Sequence, residues 1–90
     1  MKAHEWIDYA KKQIGVGSDY AIAKRLGITQ SAISRLRAKD STLRDDTSIK
    51  LAYIAGIDPA IVLLDQARER TTNECVRDVW DRLAGVLSYK

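Results

Sequence analysis

The chain has little of what catalysis or covalent cross-linking needs. Its one cysteine, Cys75, excludes an intrachain disulfide. No histidine lies near it in sequence, so it reads as a small apolar residue of the last helix. Its one histidine, His4, has no partner in view, and neither metal ligation nor catalysis follows from it. There is no glycine-rich phosphate loop, no metal-ligand spacing and no Ser-His-Asp set, so the sequence points to no enzyme and no cofactor. No long apolar run and no signal-peptide pattern occurs, which leads to the expectation of a cytoplasmic protein with no membrane partner. Internal repeats and low-complexity segments are absent, and no stretch reads convincingly as a strand.

What is present is an ordinary folding composition. Hydrophobic residues make up 46% and charged residues 30% of 90, enough for one small domain. A chain this short buries a modest fraction of its surface, so help from oligomerisation is expected.

The pattern predicts six helices. The first runs from about Ala3 to Ile14, with Trp6, Ile7, Ala10 and Ile14 inward, and Gly15 and Gly17 end it. Ser18 caps the second, with Asp19 in its first turn. The third follows Thr29 and ends near Lys39. Residues 40–45 are polar and turn-like, with Leu43 as inward anchor. The fourth runs from about Asp46 to Ala55, carries Ile49, Leu51, Ala52 and Ile54, and stops at Gly56. Asp58-Pro59 starts the fifth, as an N-cap followed by a proline in the first helical position. Ile61, Val62, Leu63 and Leu64 make its start apolar nearly all round, so burial is expected there. Arg68 to Thr72 is a polar junction, and Thr72 or Asn73 caps a last helix to about Ser88.

The stretch SDYAIAKRLGITQSAISRLRAK, residues 18–39, is the most informative. Ile22, Ala23 and Leu26 give one apolar face. Gly27 stands where the chain leaves that helix, a position that often needs a left-handed backbone. Thr29 can cap the next helix, and Ile33 and Leu36 point it back onto the first. Ala23 is small enough for close approach. Left outward are Gln30, Ser31, Ser34, Arg35, Ala38 and Lys39. These are small, hydrogen-bonding or basic groups, as a helix entering a DNA major groove requires.

Charge follows the same stretch. Residues 18–44 carry six basic groups (Lys24, Arg25, Arg35, Arg37, Lys39, Arg44) against Asp19 and Asp40, whereas residues 45–90 carry six basic and eight acidic groups. Charge alone would describe a solvated face; coinciding with two helices and a tight turn, it favours phosphate nearby. Arg37 and Lys24 read as solvated or long-range charges, Tyr20 is open between core packing and phosphate contact, and Trp6 reads as core.

Over roughly residues 3–67 the chain resembles the lambda-repressor/Cro-like helix-turn-helix family, small phage or prophage repressors in particular. The small residue Ala23, the turn glycine Gly27, the apolar pair Ile33 and Leu36, and the Leu-Gly-Ile-Thr turn carry the likeness. The run TSIKLAYIAGIDPAIVL, with its Gly-Ile-Asp-Pro junction, is similar to the family's fourth and fifth helices. The resemblance implies an all-α fold: a compact five-helix DNA-binding domain over residues 1–70, plus a C-terminal amphipathic helix in residues 71–90. It implies that Gln30 and Ser31 meet base edges, and that Arg35 reaches guanine or phosphate. Ser34 and Thr29 would contact phosphate or a thymine methyl, and Lys39, Ser41 and Thr42 the DNA backbone. One position departs from the family. Many members place a phosphate-clamping glutamine where Asp19 stands, and an aspartate there repels phosphate. Ser18 or Tyr20 would then take over that contact.

Beyond residue 70, Val76, Val79, Trp80, Leu83, Val86 and Leu87 recur at spacings of three and four. This stripe can fold back on its own domain or pair with a second subunit. Pairing is favoured, because bundled helices are a low-cost route to a two-fold dimer. The expectation is therefore a homodimeric transcriptional repressor on double-stranded DNA, with an inverted-repeat operator. The alternatives are a protein-interaction module on the same fold, such as an antitoxin or anti-repressor, and a nonspecific nucleic-acid binder. Outward Gln30, Ser31 and Arg35 argue against the last. The ordered-looking C-terminal segment argues against an antitoxin's disordered neutralising tail.

Overall fold

A computed structural model describes residues 1–39 and 41–88, with Leu87 and Ser88 as helix backbone only. Asp40 therefore lies outside the described residues, as does the side chain of Leu87 in the expected dimerisation stripe. The described residues form six helices and no strand: α1 (Ala3–Ile14), α2 (Asp19–Leu26), α3 (Gln30–Lys39), α4 (Asp45–Ala55), α5 (Pro59–Arg70) and α6 (Glu74–Ser88). The protein is all-α. The fourth helix begins one residue earlier than expected, at Asp45.

Local chemistry sets more than half of the helix boundaries. Ser18 Oγ accepts from the Ala21 N–H at 3.1 Å and starts α2. Thr29 Oγ1 accepts from the Ala32 N–H at 3.0 Å and starts α3. Asp58 Oδ1 accepts from the Ala60 N–H at 3.0 Å, with Pro59 in the first helical position of α5. Of the two candidates for α6, Asn73 is the cap, its Oδ1 accepting from the N–H groups of Cys75 and Val76. Gly27 ends α2 at φ 70°, a left-handed conformation that costs an L-residue energy and glycine none. That turn lets the Ile28 N–H reach the Ala23 carbonyl at 3.0 Å, and the same closure ends α1 and α4.

The core is one cluster shared by the first five helices. Trp6, Ile7 and Ala10 meet Ile22, Ala23 and Leu26, then Ile33, Leu51, Ala52 and Val62, with Leu43 inserted from the segment before α4. Ile14, Leu36 and Ile54 pack at its margin. Trp6 also donates from its indole Nε1 to Asp65 Oδ2 at 2.7 Å, which joins α1 to α5.

Two expectations are corrected here, and one open reading is narrowed. The start of α5 is not buried all round: Val62 is fully enclosed, Ile61 is exposed, and Leu63 and Leu64 are half-buried. The core reaches only one side of that helix, and the other side forms a groove with α6. Cys75 lies on α6 but is exposed rather than packed as an apolar residue. Tyr20 is 61% exposed, so core packing is excluded for it.

Candidate nucleic-acid interface

Two helices and a three-residue turn present the candidate surface. Ile33 turns inward from α3, and Leu36 is half-buried beside it. Gln30, Ser31, Ser34, Arg35, Ala38 and Lys39 are exposed. Burying Ile33 thus fixes the rotation of α3 about its axis and leaves the polar positions outward. The Thr29 oxygen is engaged as a cap, but its hydroxyl proton is still available to an acceptor.

Two depressions flank α3. One lies at its start, lined by Tyr20, Lys24, Ile28, Thr29 and Gln30. Lys24 Nζ stands 6.0 Å from the centre of the exposed Tyr20 ring, at the outer limit of a cation–π contact. The other lies at its end, where Arg35, Lys39, Ser41, Thr42 and Arg44 come together around Leu36. Arg35, Lys39, Ser41 and Thr42 are brought into one site despite coming from a helix and the segment after it. Ser18 is exposed at the start of α2, outside both depressions.

Sequence reasoning left three basic groups out of this surface. Lys24 is exposed, as expected of a solvated charge, and also lines the first depression. Arg44 lines the second; it belongs to the basic stretch 18–44, but the sequence assigns it no contact of its own. Lys50, on α4, holds its Nζ 3.4 Å from the point where a Cβ on Gly27 would stand, beside the turn. No local pattern marks Lys50, because α4 reaches the turn through tertiary packing.

Arg37 is corrected most. It is about a third exposed and held in an ion-pair cluster rather than free in solvent. Its Nε donates to Asp19 Oδ2 at 2.9 Å and its Nη2 to Asp19 Oδ1 at 2.8 Å. Nη2 also reaches Asp8 Oδ1 at 2.7 Å, and Lys11 Nζ reaches Asp19 Oδ1 at 2.9 Å. Two carboxylates and two cations from α1, α2 and α3 thereby close on one another. Hydrogen bonds from Arg37, then from Lys11, hold the Asp19 carboxyl down at about 2. The Arg37 bond likewise lowers Asp8, and the same contacts raise Arg37. The repulsion expected of Asp19 toward a phosphate is therefore largely offset by the cations beside it, while Arg37 is lost to the outward positive field.

The stripe on α6 is partly engaged. Trp80 is half-buried beside Leu63, Leu64 and Ala67 of α5, and Arg68 pairs with Asp81 between the two helices. Val76, Val79, Leu83 and Val86 remain 44–60% exposed. Among the described residues, no group of three or more His, Cys, Asp or Glu side chains could hold a metal ion, and no helix is long and apolar enough to cross a membrane. No protein-family model, curated protein or solved structure matches the chain.

Proposed function

We propose that this protein is a sequence-specific DNA-binding transcriptional regulator of the lambda-repressor/Cro-like kind, acting as a phage-type repressor on a two-fold operator. The observation that carries the reading is the outward face of α3. Gln30, Ser31, Ser34 and Arg35 stand exposed between two depressions that supply Lys24, Lys39 and Arg44. Side-chain amides and guanidinium groups read base edges in the major groove, and flanking cations and hydroxyls set the register on phosphates. In this reading Gln30, Ser31, Ser34 and Arg35 read bases. Tyr20, Thr29, Lys39, Ser41 and Thr42 hold the backbone, with Ser18 at the start of α2. The α6 stripe supplies the dimer contact.

Selection from a random duplex pool, followed by salt titration of the best site, tests the proposal. The selected site should exceed a scrambled duplex by ~10³ or more at physiological salt. Equal affinity for both would leave only nonspecific binding.

One observation favours a second reading, a protein-interaction module such as an antitoxin or anti-repressor. The groove between α5 and α6 is open and largely apolar, lined by Leu63, Leu64, Trp80, Leu83 and Val86, with the charged pair Asp45 and Arg70 also on its wall. A protein segment could occupy it. That reading gains if no duplex is selected while the groove still captures a polypeptide.

A further inference from the structure

The segment between α3 and α4 is held from an unexpected direction. Leu43 is buried, and its neighbours Thr42 and Arg44 line the second depression. Both backbone polar groups of Leu43 are bonded by side chains of α5. Its N–H donates to Gln66 Oε1 at 2.8 Å. Its carbonyl accepts from Arg70 Nη2 at 3.3 Å, and the same nitrogen donates to Asp45 Oδ1 at 3.1 Å. Gln66 and Arg70 are one helical turn apart, so they meet the segment from the same face of α5. Gln66 is 0% exposed, and its amide nitrogen donates to the Met1 carbonyl at 3.0 Å.

These bonds do more than fill space. A buried amide costs free energy unless its bonds are made, and an apolar residue would pack the same volume without that risk. Burying the Leu43 side chain sets the depth of the segment but not its rotation. The Leu43 N–H belongs to the rigid peptide plane shared with Thr42, and the Leu43 carbonyl to the plane shared with Arg44. Holding both planes sets the directions in which Thr42 and Arg44 leave the chain.

We propose that Gln66 and Arg70 are positioning residues for DNA-backbone recognition. They act through Leu43 to aim Thr42 and Arg44, with the adjoining Ser41, at the phosphates beside the recognition helix. This rests on the DNA-binding reading above and extends it to a helix that lies outside the α3 face. Phosphate contact is independent of sequence, so a mixed-sequence DNA duplex is the suitable probe.

The test compares Arg70→Met and Gln66→Met with Arg82→Met, which removes one cation from the exposed face of α6 and leaves the clamp intact. Affinity for the mixed-sequence duplex is measured against salt, with thermal melting as the folding control. Both clamp variants should weaken binding several-fold more than Arg82→Met. Arg70→Met, which frees the peptide plane shared with Arg44, should also lower the slope of log affinity against log salt by ~1, the signature of one lost phosphate contact. Gln66→Met frees the peptide plane shared with Thr42, an uncharged contact, so it should weaken binding and leave the slope nearly unchanged. Should it fail to fold, Arg44→Met alone and combined with Arg70→Met decides: a clamp acting through Arg44 adds no further loss of slope in the double variant, and an additive loss overturns the proposal. Clamp variants that match Arg82→Met in affinity and slope overturn the proposal. A wild-type chain that does not bind the duplex even at low salt would instead remove the DNA-binding reading itself.

Discussion

Arg37, in the second half of α3, grips Asp19, in the first turn of α2, through two side-by-side hydrogen bonds of 2.8 and 2.9 Å. The fork of a guanidinium matches the two oxygens of a carboxylate, so this pair fixes orientation as well as distance. It ties the end of the proposed recognition helix to the helix that precedes it, while Asp8 extends the tie to α1.

A pH dependence follows from that pair. The Asp19 carboxyl is lowered from 3.8 to about 2 in the folded chain. A depressed folded value means that the stabilisation is complete above the unfolded value and disappears as pH falls through the folded one. Melting temperature should therefore hold level from neutrality to about pH 5 and fall between about pH 4 and pH 2. Hydrogen bonds to Asp19 from Arg37, and then from Lys11, account for part of that fall. Asp19→Asn should remove much of the acid-side slope. A variant with an unchanged acid profile would show that other carboxylates govern it.

The same geometry predicts an unusual outcome for Asp19→Gln, which installs the glutamine common in the resembling family. A neutral amide cannot accept twice from Arg37 and also from Lys11. It would leave two cations facing each other across α1 and α3. The urea midpoint should drop, with a loss of about 1–3 kcal/mol, the range for hydrogen bonds to charged groups. An unchanged midpoint would mean that the ion-pair cluster contributes nothing net.

Gly27→Ala tests the turn. The φ of 70° is the larger cost, because the built Cβ meets only Lys50 Nζ at 3.4 Å, the free end of a flexible side chain. Destabilisation of about 1 kcal/mol is expected from the left-handed backbone. A loss of several kcal/mol would mean that the turn cannot adjust and that α2 and α3 separate.

The outward face of α3 separates two roles. Gln30→Ala should relax preference at one base position and cost about 1–3 kcal/mol on the best site. Lys39→Ala should weaken all duplexes about equally and lower the salt slope by ~1. Binding assays on selected and scrambled duplexes distinguish the two. Full affinity and specificity in both variants would move the contact surface elsewhere.

Much of this fold was legible in the residues because its boundaries are local. A hydroxyl or carboxylate caps the helix that begins beside it, as at Ser18, Thr29 and Asp58, and Gly27 closes the helix just before it. The inward positions of α1, α2 and α4 follow from helical spacing for the same reason. What escaped the reading depends on partners far along the chain. Asp8 meets Arg37, and Gln66 meets Leu43, only after α1, α3 and α5 have packed. No spacing rule distinguishes a solvated arginine from one held by two carboxylates of other helices. The apolar start of α5 misled for a related reason. Leu63 and Leu64 face a groove that exists only because α6 returns beside them.

That groove sets the last prediction, on assembly. Trp80 is already half-buried beside α5, so truncating it would disturb the fold and any dimer together. Val79 and Val86 separate the two effects, because both are exposed in the single chain. Val79→Glu with Val86→Glu places charge on that face and leaves the core of α1 to α5 untouched. If α6 pairs two subunits, sedimentation should show a wild-type dimer and a monomeric double variant, with unchanged helical content by circular dichroism. Two recognition helices related by a two-fold axis would enter successive major grooves ~34 Å apart. The selected operator should then be an inverted repeat with half-sites centred ~10 base pairs apart, and the double variant should bind one half-site as well as the wild type does while losing affinity for the full site. A wild-type monomer at tens of micromolar that still prefers the full repeat would place the dimer contact outside α6. A monomer that prefers a single half-site would mean that α6 serves its own domain alone.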